Sequence, residues 1–86
     1  MSGRILVGQN IRHIRVAQGI SQERLAYDSG VDRSYLGGVE RGEENPTVDV
    51  LDRLATALAV HLSELFMERP SASASPALRP GRKPKQ

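Results

Sequence analysis

The 86-residue chain contains no cysteine and no tryptophan, and only two tyrosines and one phenylalanine. Without thiols there is no disulfide, no thiolate metal site and no thiol catalysis. His13 and His61 are the only imidazoles. They fall on different predicted helices, so neither a metal site nor a cofactor is expected. Long apolar runs are missing too. The longest, Ala57 to Val60, is far short of the roughly 18 residues a membrane span needs, and the start MSGRILVGQN has no signal-peptide core. These absences predict a soluble, cytoplasmic chain with no membrane partner. The length predicts one small domain, with room for a tail but not for a two-domain enzyme.

The formal net charge of +2 conceals an uneven distribution. Residues 1–68 hold seven arginines against ten carboxylates, a balance of −3, whereas residues 69–86 hold Arg69, Arg79, Arg82, Lys83 and Lys85 with no acid, a balance of +5. Within the first part, residues 1–42 carry +2 and residues 43–68 carry −5. Only the first half of the expected folded region is suited to a polyanion.

From about Leu6 to Met67 the hydrophobic pattern is helical, with no alternating segment long enough to be a strand. The fold class is therefore all-α, as a compact five-helix bundle. Val7, Ile11 and Ile14 form the stripe of a first helix that Gly19 ends. Ser21 is an N-cap residue for a second, barely two turns long, that buries Leu25 and Ala26 and stops at Gly30. Asp32 caps a third, facing inward at Leu36 and Val39 and ending at Gly42. Pro46 and Thr47 start a fourth, with Val48, Leu51, Leu54, Ala55 and Leu58 on one face. A fifth runs from Leu62 to Met67, with His61 at its start. From Arg69 onward Pro, Ser and Ala dominate, which predicts a folded domain over 1–68 and a disordered basic tail over 69–86.

No enzyme constellation is present. Ser21, Ser29, Ser34 and Ser63 have no plausible triad partners, and the carboxylates gather on an exposed helical face, where solubility explains them.

The informative pattern lies between Gln22 and Arg41. Leu25-Ala26, Gly30-Val31, Leu36 and Val39 are what two short helices need when they cross steeply through a tight turn: a small residue at the crossing, a glycine at the turn and apolar residues facing the rest of the domain. QERLAYDSGVDRSYLGGVER, over 22–41, resembles the helix-turn-helix of the phage repressor and Cro type, the Xre-like family. The resemblance extends over most of residues 5–67, through SQ-x-x-LA, ERG, NPT and LA-x-AL in order. RSYLGGVERGEENP also resembles the controller proteins of restriction-modification systems.

The resemblance implies a regulator that binds double-stranded DNA with its third helix in the major groove. Asp32, Arg33 and Ser34 then occupy the leading base-facing positions, and Gly38 the one a turn further on. Arg33 is the leading candidate among them, since its guanidinium can donate two hydrogen bonds to guanine O6 and N7; a phosphate contact is the alternative. Gln22 matches the family's phosphate-contacting glutamine. Tyr35, Arg41, Asn45 and Thr47 are further phosphate candidates, with ring packing the alternative for Tyr35 and capping the alternative for Thr47. Arg15 and Glu40 match a structural salt bridge between the first and third helices.

Departures from the family pattern carry expectations of their own. Gly37 and Gly38 weaken a recognition helix by about 1 kcal/mol each relative to alanine, and Gly38 brings no side chain to its position, so readout is thinner or rests on DNA shape. Glu43 and Glu44 must point away from phosphate or pair with Arg41. Ala59 replaces a glycine often found after the fourth helix. A small core favours association. A homodimer through Leu62 and Phe66 would set two reading helices about 34 Å apart on a palindromic operator; the alternative is that both residues complete the monomer core. The other functional class is an antitoxin or protein-interaction module whose helix-turn-helix mainly binds a protein. Arg79 to Lys85 loosely resembles an AT-hook without its contiguous Arg-Gly-Arg-Pro core, and a solubilising tail is the other reading.

Overall fold

Ser2 accepts a hydrogen bond from the Ile5 amide and thereby opens the first helix of the computed structural model, which describes residues 2–69. Four α-helices follow one another: α1 (Gly3–Ala17), α2 (Gln22–Ser29), α3 (Arg33–Glu40) and α4 (Val48–Ala57). No strand occurs among the described residues. The all-α expectation holds, and the five-helix expectation is corrected. Leu62–Phe66 is a single 3-10 helix of five residues, because so short a segment between His61 and the extended Met67 closes i→i+3 bonds rather than an α-helical ladder.

The local signals account for the boundaries. Ser21, Asp32 and Thr47 accept from the amides of Arg24, Tyr35 and Val50, each three residues on, which satisfies an otherwise orphaned N–H at each helix start. His61 does the same for Ser63 through Nδ1. Gly30 ends α2 at φ 72°, a left-handed conformation that lets the chain reverse into α3 after only three residues. Ala59 adopts a similar conformation, φ 58°, after α4. The first helix begins four residues before its apolar stripe, since Ser2 supplies the cap.

The elements form a closed ring in which α1 packs on α3 and the 3-10 helix, α2 on α3 and α4, and α4 on the 3-10 helix. Ile11, Leu25, Leu36, Leu54 and Leu65 are wholly buried at its centre, one from each element, together with Leu58 at the C-cap of α4. Val48, expected on the inward face of α4, is 62% exposed at the first position of the helix, while Leu51, Leu54 and Leu58 are buried.

Two side chains lock the ring. Asn10, 2% exposed on α1, donates from Nδ2 to the carbonyls of Leu65 (3.0 Å) and Met67 (2.7 Å), holding the 3-10 helix in place. Gln18 donates to the Leu58 carbonyl at 2.7 Å, joining the end of α1 to the end of α4. Arg69 reaches back to Asn10 Oδ1 and lies 3.4 Å from Glu64. Of the expected tail over residues 69–86, only Arg69 is described, and it docks on the domain; the rest, with its AT-hook-like stretch, lies outside the described residues. No described helix is long and apolar enough to cross a membrane.

Candidate nucleic-acid interface

α2 and α3, eight residues each, are joined by Gly30, Val31 and Asp32. Val31 is buried and its amide bonds to the Ala26 carbonyl, so the turn is fixed from within. Ser29 tightens it: its hydroxyl donates to the Leu25 carbonyl at 2.7 Å and accepts from the Val31 amide at 3.3 Å. The result is a helix-turn-helix, fixed at its turn, whose second helix is exposed at its first turn.

The outer face of α3 begins with Arg33 and Ser34, both exposed in its first turn. Asp32 is exposed as well; its Oδ2 accepts the Tyr35 amide at 3.0 Å and caps the helix, which leaves Oδ1 with acceptor capacity. Tyr35 is half-buried and packs against the core. Asn45 and Thr47 are exposed before α4. The Thr47 oxygen accepts the Val50 amide at 3.1 Å, which leaves its hydroxyl proton free to donate.

One turn beyond Arg33 and Ser34 lie Gly37 and Gly38, at i+4 on the same face. Neither is bare. A Cβ on Gly37 would meet Arg41 Nη1 at 3.2 Å and Gln22 Oε1 at 3.7 Å; one on Gly38 would meet Glu44 Cγ at 2.8 Å and Oε2 at 3.0 Å. Gly38, expected at a base-facing position, is thus buried beneath Glu44. The two acids separate: Glu43 pairs with Arg41, Nε to Oε2 3.1 Å, as the charge argument required, while Glu44 neither pairs with Arg41 nor turns away but folds onto the outer face of α3. The hydrogen bond and charge of Glu43, with a smaller contribution from Glu44, raise the Arg41 pKa above its already high value. Its guanidinium is therefore permanently charged.

Behind this face sits the expected salt bridge. Arg15 Nε and Nη2 donate to Glu40 Oε2 and Oε1 at 2.8 and 3.0 Å, with side-chain exposures of 11% and 2%. Such a planar fork fixes orientation as well as distance. Arg15 Nη1 also donates to the Ile20 carbonyl at 2.9 Å. Gln22, expected to touch phosphate, donates one amide hydrogen to Glu40 Oε1 at 3.0 Å, which leaves the second for another acceptor. The bridge thus ties α1, the start of α2 and the end of α3 into one unit.

Sequence reasoning missed Gly8, Asn10, Gln18 and the Gln22–Glu40 bond. Each acts on a partner far along the chain, and no local pattern marks it. The expected interface residues divide: Leu62 is half-buried against the core, while Phe66 is 47% exposed beside an equally exposed Met67. No group of three metal-ligating side chains occurs among the described residues.

Known proteins share this arrangement. Residues 11–65 match the helix-turn-helix family model. An uncharacterised HTH-type transcriptional regulator of Sinorhizobium fredii is 45% identical over 65 residues, 76% of this chain and 84% of that protein. The control protein C.BamHI of Bacillus amyloliquefaciens is 36% identical over 64 residues, 73% of this chain and 79% of that one. The crystal structure of the restriction-modification controller protein C.AhdI from Aeromonas hydrophila superposes with a TM-score of 0.72 at 51% identity, covering 73% of this chain and 96% of that one. From the match over residues 11–65, the α2–α3 geometry and these relatives, the chain belongs to the helix-turn-helix family.

Proposed function

We propose that the chain is a sequence-specific, double-stranded-DNA-binding transcriptional regulator of the controller-protein kind, not an enzyme, acting in the cytoplasm as a homodimer on a palindromic operator. The observation that carries this reading is the exposed first turn of α3, Arg33 and Ser34, on a helix held at a fixed angle by the Arg15–Glu40 fork. Inserted in the major groove, Arg33 donates to guanine, Ser34 contacts either a base or a phosphate, and Asp32 positions the turn through its cap. Gln22, Tyr35, Arg41, Asn45 and Thr47 contact the backbone on either side, and the N-termini of α2 and α4 direct free amides to the same phosphates. The exposed Phe66 and Met67, next to the half-buried Leu62, offer the apolar surface for a second copy.

One observation favours another class. The −5 balance of residues 43–68 suits a protein partner better than a polyanion, as in an antitoxin or interaction module. A gel shift on the DNA upstream of its own gene, with nonspecific competitor, separates the two. A retarded band that survives the competitor supports the regulator; loss of the band at the same competitor excess as scrambled DNA sinks it. Sedimentation showing a monomer at operator-saturating concentration would sink the dimer alone.

A further inference from the structure

The Gly37-Gly38 pair leaves a notch in the middle of the outer face of α3, and the loop after the helix fills it. Glu44 lies over Gly38 so closely that its Oε2 stands 3.0 Å from where a Cβ of residue 38 would be. Ser34 is four residues before Gly38, on the same helix face. The Glu44 carboxylate therefore stands where the side chain of residue 38 would begin, in line with Ser34. It is half-buried, and among the described residues it accepts no hydrogen bond. Arg41, over the neighbouring Gly37, supplies a positive charge beside it.

We infer that Glu44 is a base-reading residue: the loop lends α3 the side chain that Gly38 lacks, and its carboxylate selects cytosine at one base pair in each half-site. This rests on α3 being the major-groove helix. A carboxylate can only accept hydrogen bonds. Guanine and thymine present acceptors in the major groove and adenine sets an acceptor beside its amino group, whereas cytosine presents only the N4 amino donor. The glycine at 38 then has a positive role. An alanine there would meet Glu44 Cγ at 2.8 Å and drive the side chain off the helix.

Selection of bound duplexes from random DNA at one fixed salt concentration, with the full chain and with Glu44→Gln and Gly38→Ala, tests this. Circular dichroism checks that both variants are folded. The unaltered chain should select cytosine at one position per half-site. Glu44→Gln should change that position alone toward adenine, whose N6 and N7 an amide can bond together, by about tenfold in relative affinity. Gly38→Ala should erase the preference at the same position. An unchanged motif in Glu44→Gln, or an even rise in affinity for every duplex, would overturn the proposal and leave Glu44 as a group that merely repels phosphate. Gly38→Ala acting at a different position, or not at all, would overturn the notch geometry. Should the unaltered chain select no motif, the regulator reading itself fails and takes this inference with it.

Discussion

Arg15 and Glu40, twenty-five residues apart, meet through two nearly parallel hydrogen bonds of 2.8 and 3.0 Å. With Glu40 at 2% side-chain exposure, removing the guanidinium leaves a buried carboxylate with only the Gln22 amide for company. Such an uncompensated charge costs about 3–5 kcal/mol. Arg15→Ala should lower stability by that amount in urea unfolding. Arg15→Lys should recover little, because a single ammonium cannot hold both carboxylate oxygens and the Ile20 carbonyl in one plane. A loss below about 1 kcal/mol would place the pair among the weak surface bridges.

Gly8 marks a close backbone approach between α1 and α3. A Cβ there would lie 2.3 Å from the Val39 carbonyl oxygen and 2.8 Å from that of Glu40, and both obstacles are backbone. Alanine ordinarily gains about 1 kcal/mol over glycine inside a helix. Gly8→Ala should nevertheless destabilise by about 1–3 kcal/mol, since the helices must separate to admit it. Gly3→Ala, with no atom within 4 Å of its Cβ, should be neutral or slightly stabilising. Thermal unfolding of the two variants side by side decides the matter; equal midpoints would show that the approach at Gly8 is loose.

Ala59 points the other way. Its φ of 58° costs an L-residue roughly 1–2 kcal/mol, while the bond from its amide to the Thr56 carbonyl at 3.0 Å holds it there. Glycine adopts that conformation freely but loses more entropy on folding. The strain outweighs the entropy, so Ala59→Gly should stabilise by about 0.5–1 kcal/mol. A higher urea midpoint at unchanged slope is the expected result. A lower midpoint would mean that the left-handed turn contributes no strain.

What the sequence disclosed follows from range. The caps Ser21, Asp32 and Thr47 bond three residues ahead, so their signals are local and legible. So are the turn at Gly30 and the apolar faces that bury Ile11, Leu36 and Leu54. Gly8 reads in sequence only as a weak spot in a helix; its reason for being glycine is Val39. Asn10 reads as an ordinary polar position, yet it bonds to carbonyls fifty-five and fifty-seven residues away. The fifth helix failed for a different reason: Leu62, Leu65 and Phe66 satisfy the helical spacing, but five residues are too few for the spacing to decide between an α- and a 3-10 helix. At the interface, Arg33 and Ser34 were legible as the leading residues of α3. The covering of Gly38 by Glu44 was not, because it depends on how the loop folds back.

The contrast between Arg33 and Gln22 tests how the two kinds of contact divide. Arg33 is exposed at the start of α3, so Arg33→Ala should leave stability unchanged. On the operator it should cost about 1–3 kcal/mol, with preference relaxed at one base pair per half-site. Gln22 donates to Glu40 at 3.0 Å, so Gln22→Ala should weaken binding to operator and scrambled DNA by the same factor and also lower stability by about 1 kcal/mol. Stability must be measured beside affinity, because a shifted α3 would weaken binding without any lost phosphate contact. Affinities on both duplexes at one salt concentration give the answer, since phosphate contacts are salt-dependent and base contacts much less so. If Arg33→Ala lowers both affinities equally, Arg33 holds a phosphate, and sequence preference at that end of α3 must come from Ser34 or from the shape of the DNA.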